Sequence, residues 1–202
     1  MDNMNISTHF KTLAKTAVIA ASTLLVSACF LTNSDIDESV IASSGYSDIS
    51  SVKVKAGSQA PDFTLLDADN KQVTLSSVLK DNHALLVFYR GEWCPFCIDS
   101  LESFEAALPE LAKQGVRLIA ISGDSTTTNQ NSQRRFGQNY LFLSDPSVSV
   151  AKAWGFNKSD NLAHPAMYLI KQDGTVAWYY VSEDFKTRPS GKQMLAVAKK
   201  HL

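Results

Sequence analysis

The sequence predicts an α/β fold in which a mixed central β-sheet carries helices on both faces and is extended by an N-terminal β-hairpin. Two observations carry that prediction. The uninterrupted apolar runs ALLVFYR (84–90) and VRLIAIS (116–122) have the composition of strands buried on both faces. Around them, apolar residues recur at spacings of three and four, the stripe of a helix packed on a sheet. Alternation of the two patterns along one chain is the mark of a layered α/β domain.

In chain order, DFTLLD (62–67) and KQVTLS (71–76) have strand composition, and Asp69-Asn70 between them is the turn of a hairpin. The 84–90 strand runs through GEWCPFC into a helix marked by Ile98, Leu101, Phe104, Ala107, Leu108 and Leu111, which Pro109 should kink or end. After the 116–122 strand, the polar stretch 126–136 reads as a surface helix with Arg134 and Arg135 on its solvated face. YLFLSDP ends in a turn at Asp145-Pro146 and leads to a short helix with Val150, Ala151 and Trp154 on one side. AMYLIKQDGTVAWYYV (166–181) is a hairpin across Asp173-Gly174, in which Tyr168, Trp178 and Tyr179 serve packing. The chain closes in a helix with Ser190 as its N-cap.

Ahead of this domain, Lys11 and Lys15 precede an apolar run over 16–28 that is too short for a membrane span. A basic start, a short apolar stretch and small residues at its end describe a secretory signal. Its end, Val26-Ser27-Ala28-Cys29, resembles the bacterial lipobox, which implies a lipoprotein signal peptide over 1–28 and acylation of Cys29. Phe30 in place of an aspartate points to the outer membrane. The expected product is an exported lipoprotein, anchored on the periplasmic side of the outer membrane in a Gram-negative source. The Ser- and Asp-rich stretch to residue 55 reads as a flexible tether over 29–55, and the domain as 56–202.

Composition fits one globular domain with extras: of 202 residues, 45% are hydrophobic and 19% charged. A net charge of −1 offers no general attraction to nucleic acid. The four histidines are scattered, and the three cysteines are Cys29, Cys94 and Cys97. No cofactor is expected beyond the cysteine pair, which needs an external thiol reductant.

Cys94-Pro95-Phe96-Cys97 stands where a buried strand meets an amphipathic helix. In the first turn of a helix, unsatisfied N–H groups and the helix dipole favour thiolate over thiol. The two-residue spacing lets the second sulfur reach the first, and Pro95 suits a first helical turn. Competing readings are a structural disulfide, half of a zinc site and inert core thiols. So short a loop gains little closure entropy, and zinc lacks further ligands nearby.

APDFTLLD, LLVFYRGEWCPFC, LIAISGDS, LSDPSVSVAKAWG and PAMYLIKQDGTVAW, in this order, resemble the alkyl hydroperoxide reductase/thiol-specific antioxidant (AhpC/TSA) family, in its peroxiredoxin-like branch. The resemblance covers 57–202 and implies a thioredoxin-like fold with thiol-dependent redox activity. The family's Pro-x-x-x-Thr-x-x-Cys loop falls on Arg90, Cys94 and Cys97, so only the peroxide-attacking cysteine matches and a second thiol replaces the threonine. The family's peroxide-polarising arginine falls near Pro165. EWCPFC also resembles the thioredoxin loop, with Cys94 as nucleophile, Cys97 as resolving thiol and Pro165 as a cis-proline facing them. The buried acid of thioredoxin is Phe88 here.

Several residues are candidates for supporting roles. Arg90 lowers a thiol pKa or binds a peroxide oxygen, unless it pairs with Glu92 at the surface. Trp93 is expected to pack beside the sulfurs. His164 contacts the thiol loop or is structural. Arg188, in EDFKTRPSG, supplies the missing positive charge or caps the last helix. Three functions follow: reduction of hydroperoxides through a Cys94/Cys97 dithiol–disulfide cycle, thioredoxin-like exchange with protein disulfides, or a lipid-anchored redox sensor or binding module. The expected partners are the peroxide or protein disulfide, a thioredoxin-like electron donor, and the membrane through Cys29.

Overall fold

The computed structural model describes residues 35–202. The elements are α1 (Glu38–Ala42), β1 (Gly45–Ser47), β2 (Thr64–Asp67), β3 (Gln72–Thr74), α2 (Leu75–Leu79), β4 (His83–Phe88), α3 (Pro95–Glu102) and α4 (Leu108–Lys113). They continue as β5 (Val116–Ser122), α5 (Thr126–Phe136), β6 (Tyr140–Ser144), α6 (Ser149–Trp154), β7 (Ala166–Ile170), β8 (Val176–Val181) and α7 (Gly191–His201). One eight-stranded sheet runs β1-β8-β7-β4-β5-β6-β2-β3. It is mixed: β4, β5 and β6 are parallel, β7 is antiparallel to β4 and β8, and β8 is parallel to β1. The fold is the thioredoxin-like α/β arrangement that the sequence predicts.

The period of two along a strand divides the core. Leu85 and Val87 of β4 face a cluster with Ile98 and Leu101 of α3, Leu111 of α4 and Met194 and Val197 of α7. Ala84, Leu86 and Phe88 face the other cluster, with Leu75 and Leu79 of α2 and Ala151 and Trp154 of α6. Helices therefore cover both faces, which is why β4 reads as a continuous apolar run. Trp178 and Tyr168 are fully buried, one in each cluster. The β2–β3 hairpin is present, and β2 pairs antiparallel with β6 at the sheet edge.

Three features differ from the sequence reading. The 71–76 segment leaves strand geometry early, because α2 begins at Leu75 and buries Leu75 and Leu79. The single helix expected through Leu111 is two, α3 and α4, separated by the turn at 103–107. A proline has no N–H for an i−4 bond, so Pro109 sits in the first turn of a new helix instead of the interior of an old one. The largest correction concerns the flexible tether over 29–55, which from residue 35 onward is part of the fold. Ile36, Ile41, Val52 and Val54 are buried, and β1 adds to the sheet edge beside β8. These isolated apolar residues carry no periodicity, so composition alone made the stretch look like a linker. Cys29 and the signal over 1–28 lie outside the described residues.

Gly191, the first residue of α7, rests directly on the α3–α4 turn. Its N–H donates to Ser103 Oγ at 3.0 Å, and a Cβ there would stand 2.3 Å from the Ser103 carbonyl oxygen and 2.6 Å from Phe104 Cα. Both obstacles are backbone and cannot rotate away. Gly191→Ala should therefore lower stability by about 2–3 kcal/mol, as overpacking does. A urea denaturation midpoint unchanged by this substitution would show that the approach is not fixed.

Candidate active site at the thiol loop

β4 ends at Phe88, and residues 89–94 turn the chain from the sheet into α3. Cys94 is the N-cap, extended at φ −97° and ψ 107°, and Pro95 occupies the first helical turn. Cys97 follows within the same turn, and its N–H reaches back to the Cys94 carbonyl at 2.9 Å. Both thiols are free and buried, Cys94 at 1% and Cys97 at 0% exposure. At the entrance to the loop, Gly91 takes φ +145°, and the Glu92 N–H donates to Asp124 Oδ2 at 2.8 Å. A second bond, from Ser122 Oγ at 3.0 Å, holds the same carboxylate oxygen.

The charge of the site comes from two arginines on different elements. Arg188, in the loop between β8 and α7, is 1% exposed. Its Nη2 lies 3.2 Å from Cys97 Sγ and its Nη1 donates to the Phe96 carbonyl at 3.0 Å, while its buried Nε has no hydrogen-bond partner. The Arg90 backbone N–H points at the same sulfur from 3.4 Å. The Arg90 guanidinium is sandwiched between two rings, 4.7 Å from the centroid of Trp93 and 4.8 Å from that of Phe185. Phe185 also meets Phe96 edge-on at 5.8 Å. Among the described residues, neither arginine forms an ion pair with a carboxylate.

The thiols share a proton. A hydrogen bond from Cys97 holds Cys94 down at about 6, against burial and with help from the Arg188 and Arg90 charges. The same hydrogen bond, together with burial, pushes Cys97 up, and the Arg188 guanidinium opposes it. The pair thus loses one proton easily and the second only with difficulty, and the single anion belongs to both sulfurs. Two adjacent thiols, one easily lost proton and a buried cation at contact suit nucleophilic sulfur chemistry.

Residues 56–179 match the AhpC/TSA family. The chain belongs to that family. Among individual relatives, it is 30% identical over 130 residues to a putative chloroplastic peroxiredoxin Q of Oryza sativa subsp. indica, covering 63% of this chain and 59% of that protein. It is 31% identical over 144 residues to chloroplastic peroxiredoxin Q of Arabidopsis thaliana, covering 70% and 66%. The matched region is thus under two thirds of the rice protein's length. A crystal structure of peroxidoxin BcpB from Mycobacterium tuberculosis superimposes with a TM-score of 0.64 at 25% identity, over 73% of this chain and 98% of that one. A peroxiredoxin-like protein from Aquifex aeolicus shares the fold, with a TM-score of 0.65 at 17% identity.

Within this AhpC/TSA domain, the structure brings Cys94, Cys97, Arg90 and Arg188 together. Arg188 is a buried partner of the thiols, and the cap of the last helix falls instead to Ser190, in a capping box with Gln193. Arg90 makes no ion pair with Glu92, whose part in the loop is its backbone bond to Asp124. Trp93 is 62% exposed and faces Arg90; it is not a platform packed beside the sulfurs. The cis-proline expectation for Pro165 is corrected, since every peptide bond among the described residues is trans. Pro165 precedes Ala166, which pairs with Phe88, and its carbonyl accepts from the Ser182 N–H at 3.2 Å. His164 bonds through its N–H to the Phe156 carbonyl, and burial followed by Lys158 lowers its pKa. The groups shaping its charge are Lys158, Glu183 and Asp48, not the thiols.

The sequence reading missed Phe185, which holds Arg90, and Asp124, which holds the loop entrance. Phe185 lies three residues before Arg188 in the same segment, so an aromatic beside a candidate site arginine was the available signal. Asp124 gave none, because an aspartate after a strand reads as a turn residue.

Because the anion is shared, the ultraviolet absorbance of thiolate in the reduced protein should rise with pH through about 6. Arg188→Gln removes a favourable charge and should move that midpoint upward by roughly one unit or more. A midpoint unmoved by Arg188→Gln would show that the guanidinium does not stabilise the anion.

Proposed function

We propose that this AhpC/TSA-family protein is a thiol peroxidase, an oxidoreductase that reduces hydroperoxides through a Cys94/Cys97 dithiol–disulfide cycle. The observation that carries the reading is the buried Arg188 guanidinium at 3.2 Å from Cys97 Sγ, with its Nε–H still to be used. A buried cation without a carboxylate calls for an anion beside it, and the thiol pair is the group placed to supply one. The peroxidoxin BcpB likeness and the peroxiredoxin Q relatives support the same chemistry.

In this reading Cys97 attacks. With the pair's remaining proton on Cys94, the Cys97 thiolate displaces on the distal peroxide oxygen, an S–O bond forms and the O–O bond breaks. The departing alkoxide takes a proton and leaves as the alcohol, or as water when the substrate is hydrogen peroxide. The unused Arg188 N–H stabilises negative charge as it develops on the peroxide oxygens. Cys97 is left as sulfenic acid; Cys94 sulfur attacks it, and the two form a disulfide with release of water. An external dithiol protein of the thioredoxin type returns both electrons through a mixed disulfide. The cycle needs no metal or organic cofactor. Cys29 and the apolar run ahead of it support a lipid anchor on the exported side of a membrane, a reading that radiolabelled palmitate incorporation lost in Cys29→Ser would support.

Stopped-flow oxidation of the reduced protein by hydrogen peroxide, followed by Trp93 fluorescence, tests the assignment. Rapid oxidation should survive Cys94→Ser, disappear in Cys97→Ser, and slow by about 10²-fold in Arg188→Gln, the scale of losing one charge-stabilising donor. Oxidation no faster than that of a free thiol in all of these proteins would sink the peroxidase reading and leave disulfide exchange through Cys94.

A further inference from the structure

Arg188 can serve the thiols only if the loop that carries it is held in place. That loop leaves β8 after Val181, enters α7 at Gly191, and contains no regular structure of its own. Its interior is a succession of side-chain-capped turns: the Asp184 N–H donates to Ser182 Oγ at 3.1 Å, and the Lys186 N–H to Asp184 Oδ1 at 2.8 Å. Tyr180 adds a bond from its hydroxyl to the Thr187 carbonyl at 3.2 Å. Such turns fix the loop's shape, but not where it sits on the domain.

Besides the contacts that Phe185, Arg188 and Gly191 make with the thiol helix, the N-terminal segment holds the loop at both ends. β1 pairs in parallel with β8, and the last pair is Ser47 with Val181. The next residue on each side is Asp48 and Ser182. The Asp48 carboxylate takes the start of the loop with both oxygens, accepting from Ser182 Oγ at 2.8 Å and from the Glu183 N–H at 2.9 Å. The far end is held by the same segment. Gln193 Oε1 accepts from the Ser190 N–H and from the Ile36 N–H, each at 3.2 Å, and Gln193 Nε2 donates to the Ile36 carbonyl at 2.7 Å. Residues 36–48 thus clasp both ends of the segment that delivers Arg188 to Cys97.

The geometry points to Asp48 as a positioning residue for the active site, acting through the Ser182–Arg188 loop on the guanidinium that faces Cys97. Asp48 touches neither sulfur nor substrate. β1 is only three residues long, at the outer edge of the sheet, so the bonds that Asp48 makes bear on the loop more than on the core. The inference rests on Arg188 as counter-ion of the thiols and does not require that the substrate be a peroxide.

A double-mutant cycle between Asp48→Ala and Arg188→Gln tests it, with the thiolate absorbance midpoint as the readout. Asp48→Ala should raise the midpoint by roughly half a unit, a fraction of what a nearby cation supplies. Asp48→Asn, which keeps an acceptor for the Glu183 N–H, should restore most of that shift. The double variant should match Arg188→Gln alone, because Asp48 has no effect left to transmit once the guanidinium is gone. A purely structural Asp48 would lower the melting temperature and leave the midpoint alone, and that result, or shifts that simply add, overturns the proposal. Should Asp48→Ala fail to fold, Asp48→Ser, whose shorter hydroxyl cannot hold both Ser182 Oγ and the Glu183 N–H, carries the same cycle. Since the titration contains no peroxide, its outcome stands apart from that of the peroxidase assay.

Discussion

Taking a guanidinium out of water costs several kcal/mol unless an anion and well-placed acceptors replace its hydration. Arg188, at 1% exposure, meets that demand with the Cys97 sulfur and the Phe96 carbonyl, both in the first turn of α3. The consequence is reciprocal. The cation is tolerable because the thiol pair carries an anion beside it, and that anion, held first by the hydrogen bond between the two sulfurs, gains further from the cation. A neutral thiol pair would leave an unpaired charge in the core, so the site favours loss of one proton at physiological pH. Shared protonation within the pair and two backbone-directed elements, the α3 N-terminus and the Arg90 N–H, work in the same direction.

That contact sets requirements on parts of the chain far apart in sequence. Cys97 must be fixed from the β4 side, which the buried strand and the Asp124-held loop accomplish. Arg188 must be fixed from the other side by a loop without secondary structure. Gly191 supplies one constraint by seating α7 on the backbone of the α3–α4 turn, so that the loop's exit is referenced to the helix that carries the thiols. The N-terminal segment supplies the other, and it joins the fold where it can touch both loop ends.

Local chemistry was legible in the sequence, and long-range placement was not. Cys94 and Cys97 were visible because a CxxC at a strand-to-helix junction needs only neighbouring residues to be understood. The sheet strands were visible as continuous apolar runs, since burial on both faces leaves no polar alternation to confuse them. Arg188 could be named from its segment, but its contact with Cys97 spans 91 positions and depends on a loop path that no periodicity encodes. The 35–55 segment reads as linker for a related reason: Ile36, Ile41, Val52 and Val54 are buried one at a time, and isolated apolar residues among serines and aspartates give no pattern of a packed face. Trp93 misled in the opposite way. An aromatic beside two cysteines suggests packing on sulfur, whereas its exposed ring lies against the half-buried Arg90 guanidinium.

The same electrostatics bears on the redox cycle. Joining the two sulfurs in a disulfide abolishes the anion, and Arg188 is then left as a buried guanidinium with only the Phe96 carbonyl for a partner. The cost of that unpaired charge falls on the oxidised state alone. Whatever holds Arg188 against the thiols therefore stabilises the dithiol form relative to the disulfide and makes the disulfide easier to reduce. In the proposed cycle, a site oxidised by peroxide and reset by an external dithiol gains from this at the second step. The oxidation step loses little by it, because peroxide reduction, in which new O–H and S–S bonds replace the weak O–O bond and two S–H bonds, is strongly downhill. In that proposed cycle the place of Cys94, at the N-cap of the helix whose first turn carries Cys97, fits the same logic. A resolving thiol in the same turn lets the disulfide close beside the arginine, so the energy of losing the anion is felt at the bond that the reductant has to break.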